Sequence, residues 1–319
     1  MGGCGPARTE EKPAWGPPAG IRMAAMTRTT GSYGLALILA AVVASTGSGA
    51  EEPISLDVMT FNIRTSIGRD GDNAWPHRKE LVAETIERFS PHVVGLQEAL
   101  EDQIEYLTET LPAYRWLGAD RGLNGGRGLS EHTPIFYLYE ELTPIESGNF
   151  WLSSTPDTPP EFREFRGRRL RMGRIVTWAR FHHRPSDRQI YMFNTHFTLR
   201  RGPRQVESAS LVAERVAALP EGSSVIVTGD FNAIAGDSDT WRTATAQGLR
   251  DAWLIASERR GPPLTTSGFR APPDGWKGRI DWILVGGPIA VRSVETVLHN
   301  DQGRYPSDHY PVAARLEIQ

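Results

Sequence analysis

Cysteine is almost missing from this chain: Cys4 is the single thiol in 319 residues. One thiol cannot close a disulfide within the chain. A protein cut anywhere beyond it has no cysteine nucleophile and no zinc–thiolate site. Long apolar runs are missing too, the candidate stretch Leu35–Ala44 being shorter than the ~20 residues a membrane span requires. No internal repeat, heptad pattern or low-complexity tract is present. An excess of positive charge is also absent, with 35 Lys and Arg against 38 Asp and Glu, a net of −3. That balance argues against broad, unaided attraction to nucleic acid or anionic membranes, although it leaves room for a local basic patch.

The first fifty residues differ from the rest. Met1–Met23 is Gly/Pro-rich and unpatterned, and residues 1–25 read as an unstructured extension or as sequence upstream of a misassigned start, with Met23 or Met26 the true one. Residues 26–50 read as a secretory signal. Arg28 supplies the positive end, Leu35–Ala44 the apolar region, and Ser48-Gly49-Ala50 a small-residue cleavage site. The expectation is export to the periplasm or beyond, with a membrane anchor as the rival reading. Cleavage after Ala50 would leave 31 basic and 36 acidic residues, a net of −5. No linker divides residues 51–319, which read as one domain.

What is present is a set of short apolar runs that end in polar groups. Val225–Ile234 is the clearest: a β-branched strand, then Gly229, then Asp230 and Asn232 two residues apart. On an extended chain those two side chains would share a side; an Asx-rich turn is the alternative. The same ending recurs at Asn62 after Ile54–Asn62, at Glu98 after His92–Gln97, and at His196 after Gln189–Thr195. Asp281 in Arg279–Val285, and Asp308 with His309 before Tyr310–Ile318, complete the set. Taken singly, Asn62 reads as a turn former, Glu98 as a helix cap, His196 as an edge histidine and Asp281 as a partner for Arg279. Helical patterns over Pro76–Phe89, to about Leu111, and over Arg204–Leu219 lie between the strands. Many strands with few helices predict two sheets packed face to face with helices outside.

The mixture of groups limits the chemistry. Hard oxygen ligands without cysteine suit Mg²⁺, or Mn²⁺ in its place. Two histidines outside any HExxH spacing suit a proton carrier and a donor to a charged oxygen. Together they describe metal-assisted hydrolysis of a phosphate ester. A serine hydrolase is the other catalytic reading, but G-x-S-x-G is absent and Ser307 has no evident oxyanion hole.

These residues resemble the endonuclease/exonuclease/phosphatase superfamily, the metal-dependent phosphoesterases related to DNase I. The likeness spans Ile54–Ile318 and is carried, in order, by Met-Thr-Phe-Asn62-Ile-Arg, Gly-Leu-Gln-Glu98, Asn-Thr-His196, Gly-Asp230-Phe-Asn232, Arg-Ile-Asp281-Trp-Ile and Ser-Asp308-His309-Tyr-Pro. Trp75-Pro-His-Arg78-Lys, Trp151-Leu-Ser-Ser-Thr-Pro, Arg174-Ile-Val-Thr-Trp and Tyr305-Pro-Ser-Asp resemble bacterial exported members. The resemblance implies an α+β fold, a four-layer α/β/β/α sandwich of two packed mixed sheets flanked by helices. It implies Mg²⁺ on Glu98, with Asn62 and Asp308 beside it. Asp230 would orient or deprotonate water, and Asn232 and His196 would contact phosphate. His309, supported by Asp281, would stabilise charge or act as acid/base. Arg64, Arg174 and Arg204 are the expected substrate-side arginines. Where similar sequences often read Asn-Thr-His-Phe-Asp, this chain has Thr198, which removes a partner for Arg200, Arg201 or a neighbouring histidine. Arg163–Arg174 carries six arginines and reads either as a solvated loop or as phosphate contacts.

The expected function is an exported Mg²⁺-dependent phosphoesterase acting on a mono- or diester. A secreted nuclease, a sphingomyelinase-like phospholipid phosphodiesterase, and a phosphate-ligand-binding protein without turnover are the alternatives. Its partner is the phosphoester substrate, the chain being a monomer with no obligate protein partner. Trp241, Trp253 and Trp276 are the candidates for peripheral membrane contact.

Overall fold

The computed structural model describes residues 53–122, 130–161 and 173–319, and the backbone of 163–165 and 168–170. The expected extension and signal segment, and part of the arginine-rich stretch, lie outside the described residues. In chain order the first elements are β1 (Ile54–Asn62), α1 (Lys79–Phe89), β2 (Val93–Gln97), α2 (Glu101–Thr110), β3 (Tyr114–Leu117) and β4 (Ile135–Leu138). Next come β5 (Leu142–Trp151), β6 (Arg163–Phe165), β7 (Arg168–Leu170), β8 (Ile175–His183), β9 (Arg188–His196), α3 (Pro203–Ala217) and β10 (Ser224–Asp230). The chain closes with α4 (Asp239–Thr245), β11 (Arg250–Asp251), α5 (Ala252–Ile255), β12 (Glu258–Arg260), β13 (Asp281–Gly286), β14 (Ile289–Thr296) and β15 (Val312–Ile318).

Two large sheets form among the described residues, ordered β12-β14-β15-β1-β2-β4-β3 and β11-β13-β10-β9-β8-β5. Three apolar clusters make the layers. Leu56, Val58, Val93, Met192, Ile226, Ile283 and Leu316 pack between the sheets. Met59, Phe61, Val82, Ile86, Ile104 and Leu107 join the first sheet to α1 and α2. Phe193, Phe197, Val212, Val227, Phe231 and Trp282 join the second sheet to α3 and α4. Alternate residues of β1 therefore serve two cores, as a strand buried on both faces must. The result is the four-layer α/β/β/α sandwich.

Register decides where the polar groups go. β1 runs parallel to β2, pairing Asn62 with Gln97, and β9 runs parallel to β10, pairing His196 with Asp230. Their exits share one end of the sandwich. β13 runs antiparallel to β10 with Asp281 opposite Asp230, and β15 antiparallel to β1. Asp281 and His309 thus stand at strand entrances, not the exits that the sequence pattern suggested, and antiparallel pairing brings both to the same end. Near that end the sheets meet through polar side chains. Gln97 Nε2 donates to Asn194 Oδ1 (2.7 Å), and Thr228 Oγ1 donates to the same oxygen (3.0 Å). A Cβ on Gly95 would lie 2.2 Å from Thr228 Oγ1, so glycine is what lets the two sheets approach here.

Several local expectations need correction. The helix expected from Pro76 begins as a 3-10 turn, Trp75–His77, and turns α-helical at Lys79, because Arg78 at φ −135 interrupts it. β5 starts at Leu142, six residues before the Gly148 start expected, its alternation hidden by a bulge between Pro144 and Glu146. The arginine-rich stretch expected as a loop contributes the β6–β7 hairpin. β11, β12 and α5 are too short to show a period and were not expected. Of the three tryptophans, Trp241 and Trp253 pack against the cores, while Trp276 is exposed.

Candidate active site

Asn62 closes β1, and the next residues turn sharply. Arg64, Glu98 and Asn232 all adopt positive φ, 55°, 60° and 50°. Asparagine tolerates this region, whereas for Arg and Glu it is strained and persists only where surroundings fix it. The fixing contacts are present. The Arg64 N–H donates to Asn62 Oδ1 (3.0 Å), and the Thr65 N–H donates to Glu98 Oε2 (3.2 Å). Asn232 N–H donates to Asp230 Oδ1 (2.9 Å). That last bond is the Asx turn weighed as an alternative for this stretch, and the extended geometry expected for Asp230 and Asn232 is not adopted.

Because Asn232 holds Oδ1, the other oxygen of Asp230 faces the cluster. Asn62 Nδ2 donates to Asp230 Oδ2 at 3.0 Å. His196 Nε2 lies 3.5 Å and His309 Nε2 3.9 Å from the same oxygen. The opposite ring nitrogen of His309, Nδ1, is 3.1 and 3.0 Å from Asp281 Oδ1 and Oδ2. Thr265 Oγ1 accepts from the Asp281 N–H, and Ser307 Oγ accepts from the His309 N–H while donating to the Asn62 carbonyl (2.7 Å). Asp281 does not pair with Arg279, which instead forms a bidentate pair with Asp251.

Electrostatics separate the three titrating groups. Burial, reinforced by the nearby Asp281 carboxylate, pushes Asp230 up to about 7, against the opposing pull of His309. Burial works against the His309 cation, but Asp281, Asp230 and Asp308 together hold it well above the usual imidazole range. His196 is driven well below that range by burial and by Arg174, Arg121 and His309, and so stays neutral. One imidazolium, one neutral imidazole and one carboxylate near neutrality therefore meet at a single oxygen.

A second group of donors lies beside this one. The Arg64 guanidinium is 3.9 Å from Glu98 and 3.8 Å from Asp308 while bidentate to Asp70. Asn62 Nδ2 also reaches Glu98 Oε1 (3.2 Å). Two sets of donors meet a divalent cation's needs. Asp230, Asp281 and His309 offer atoms within 4.8 Å of one another, but these carboxylates are almost completely buried and both Asp281 oxygens hold His309. Glu98 and Asp308 are oxygen-only and partly open, with side chains 17 % and 26 % exposed. A hard ion that keeps several of its waters needs that openness, so the Glu98–Asp308 side is the better fit.

On the far side of Asp230, Arg174 Nη1 and His196 Nδ1 are buried without a hydrogen-bond partner. Each sits 3.9 Å from Glu131 Oε2, and Glu131 itself pairs with Arg121. Asn232 Nδ2 is committed to the Phe197 carbonyl (3.1 Å). Arg204 is exposed at the start of α3, and no hydrogen bond or ion pair joins its guanidinium to the cluster. Of the expected site residues, Arg204 is the one the structure leaves apart.

Sequence reasoning did not assign Glu131, Gln205 or Arg78. Gln205 Nε2 binds the carbonyls of Thr198 (2.7 Å) and Asn232 (3.0 Å). Arg78, fully buried, donates to the carbonyls of Asn73, Ile63, Arg64 and Pro306 and lies over the Trp75 ring. The Trp75-Pro-His-Arg78-Lys signature was its only trace.

Known proteins share this fold. The family model described as Endonuclease/Exonuclease/phosphatase family matches residues 59–309. A solved protein of that family from Bacteroides thetaiotaomicron is 28 % identical, with a TM-score of 0.75, over 85 % of this chain and 97 % of that one. A structure described as the mannosyl-6-phosphatase Bt3783, from the same organism, is 27 % identical with a TM-score of 0.72, over 82 % and 99 %. Among curated sequences, the uncharacterized protein YbhP of Escherichia coli is 32 % identical over 136 residues, 42 % of this chain and 48 % of its own length. The chain spans about half the length of the curated relatives it matches.

Proposed function

Because the chain belongs to the endonuclease/exonuclease/phosphatase family and is thereby a hydrolase of phosphoesters, we propose that it is an exported, Mg²⁺-dependent enzyme acting on a small phosphoester. The observation that carries this reading is the convergence of Asn62, His196 and His309 on the one oxygen Asp230 Oδ2. A base that must take a proton from water needs an oriented oxygen and a pKa near the working pH, and Asp230 has both.

The roles follow from the contacts. Asp230 orients the attacking water and accepts its proton. His309, held protonated by Asp281, stabilises the charge that develops on the phosphoryl and leaving oxygens and returns a proton to the leaving group. His196 offers a neutral ring N–H to a phosphate oxygen, and Arg174 offers Nη1, which makes no hydrogen bond among the described residues and sits 3.9 Å from Glu131. Glu98 and Asp308 would hold Mg²⁺, with Asn62 beside them and Arg64 bracing both carboxylates. Bound there, the ion supplies positive charge to the phosphoryl group. Most of what such a displacement asks of the protein is placement and charge neutralisation.

A net charge of −3 favours a compact phosphate over a long duplex. The likeness to a protein described as a mannosyl-6-phosphatase makes sugar phosphates the first class to try. Purified protein is incubated with p-nitrophenyl phosphate, bis-p-nitrophenyl phosphate and a panel of sugar phosphates, with Mg²⁺, Mn²⁺ or EDTA. Hydrolysis that requires the cation and varies little with ionic strength is expected. A folded sample that hydrolyses none of them contradicts the reading, and a steep loss of affinity with salt points to nucleic acid instead.

A further inference from the structure

The three most exposed large hydrophobic side chains among the described residues are Leu199, Trp276 and Ile67, at 74 %, 64 % and 59 %. All three sit on loops whose bases are fastened to the site. Ile67 follows Thr65, which donates to Glu98. Leu199 follows Thr198, whose carbonyl takes the same Gln205 amide that binds Asn232. Trp276 belongs to the loop that Ser267 and Gly268 pin to the Asp308 carbonyl. One exposed leucine is ordinary on any protein surface; the three most exposed apolar side chains standing on loops around one mouth is not.

Charge follows the same loops. Residues 65–74, 198–204 and 266–278 carry six bases (Arg69, Arg200, Arg201, Arg204, Arg270 and Lys277) against three acids (Asp70, Asp72 and Asp274). That is a local net of +3 on a chain whose total is −3. All six bases are exposed, and none has its cationic group in a hydrogen bond or ion pair among the described residues. Asp70 is already committed to Arg64. Elsewhere on the surface Arg180, Arg242, Arg292 and Arg315 are paired with carboxylates, while Arg88 is exposed without one among the described residues. Arg200 and Arg201 have no carboxylate partner among the described residues.

We propose that this rim docks the protein on an anionic phospholipid surface, with the site mouth facing the headgroups. Aliphatic tips beside unpaired arginines suit the boundary of a bilayer, where apolar side chains enter and bases meet lipid phosphate. Single-stranded nucleic acid calls for aromatic platforms, and two of the three tips are aliphatic. No helix among the described residues is long and apolar enough to cross a membrane. The proposal rests on the site reading only for where the mouth is; docking itself needs no turnover.

Cosedimentation with phosphatidylcholine vesicles, with and without phosphatidylserine, tests it. The proteins compared are the wild type, Leu199→Ser with Trp276→Ala, and Arg200→Glu with Arg201→Glu. p-Nitrophenyl phosphate hydrolysis reports on the site. Binding to the phosphatidylserine vesicles is expected, weakened at least about tenfold by either pair and by high salt, with soluble-substrate hydrolysis unchanged. No binding to those vesicles, equal binding by the variants, or a single-stranded oligonucleotide bound more tightly than the vesicles overturns the proposal. Vesicle binding by a protein that hydrolyses no phosphoester would sink the enzymatic reading and leave the docking surface standing.

Discussion

At the scale of single residues, burial sets Asp230 against its own charge while Asn62, Asn232 and His309 favour that charge, and the balance leaves the carboxyl at about 7. The kcat/KM profile, taken in Mg²⁺, is therefore expected to rise as Asp230 loses its proton, at a pH below about 7, since the bound positive charge favours the carboxylate. It is expected to fall again as His309 loses its proton. Asp281→Asn removes the strongest charge holding that imidazolium, so it should draw the alkaline limb to lower pH. An alkaline limb that stays in place contradicts the pairing. The same shifts touch stability. Both Asp230 and His309 have folded-state values above their unfolded ones, so their stabilising effect is complete below the unfolded values and is lost as pH rises through the folded ones. Asp230→Asn should then melt at a higher temperature than wild type at pH 8, the difference shrinking towards pH 5; thermal unfolding across that range checks it. Each of these residues was legible in the sequence as a polar group beside an apolar run. What could not be read there was which oxygen of Asp230 points inward, because that depends on the turn at Asn232.

At the scale of elements, Arg78 links the exit of β1 to the loop before β15 through the carbonyls of Ile63, Arg64 and Pro306. It is a buried cation answered by carbonyls and aromatic rings, and burial lowers it to about 10. Arg78→Met would leave several buried carbonyls without donors, at roughly 1–3 kcal/mol each. Arg78→Lys cannot replace a planar fork that reaches four acceptors. Both variants should unfold at lower urea and lose turnover, because Asn62 and Asp308 no longer share a brace. Stability near wild type in Arg78→Met would show that the clasp is incidental. In the sequence Arg78 looks like a surface base at the start of a helix, since nothing local says that four carbonyls wait for it. β5 was half-hidden for a related reason: a bulge breaks the alternation that identifies a strand.

At the scale of the whole molecule, two helix–sheet halves place their polar strand ends against each other, and the site exists only where the halves meet. The sandwich was legible because both sheets are built from short, strongly patterned strands. The partition of acids into a deep pair and an open pair was not, because it depends on how the sheets stack. With the cation at Glu98 and Asp308 as proposed, saturating Mg²⁺ should raise the melting temperature and EDTA should reverse it. Glu98→Ala should remove the Mg²⁺ effect, and a response that survives the substitution would relocate the ion.

The central measurement is the rate of phosphoester hydrolysis by Asp230→Asn beside the wild type, in Mg²⁺, on samples shown by melting to be folded. The wild type is expected to turn over, and the variant to fall by about 10²–10⁴-fold, the usual contribution of a general base. A folded Asp230→Asn protein that hydrolyses the substrate at the wild-type rate would contradict the assignment of Asp230 as the oxygen on which the site converges.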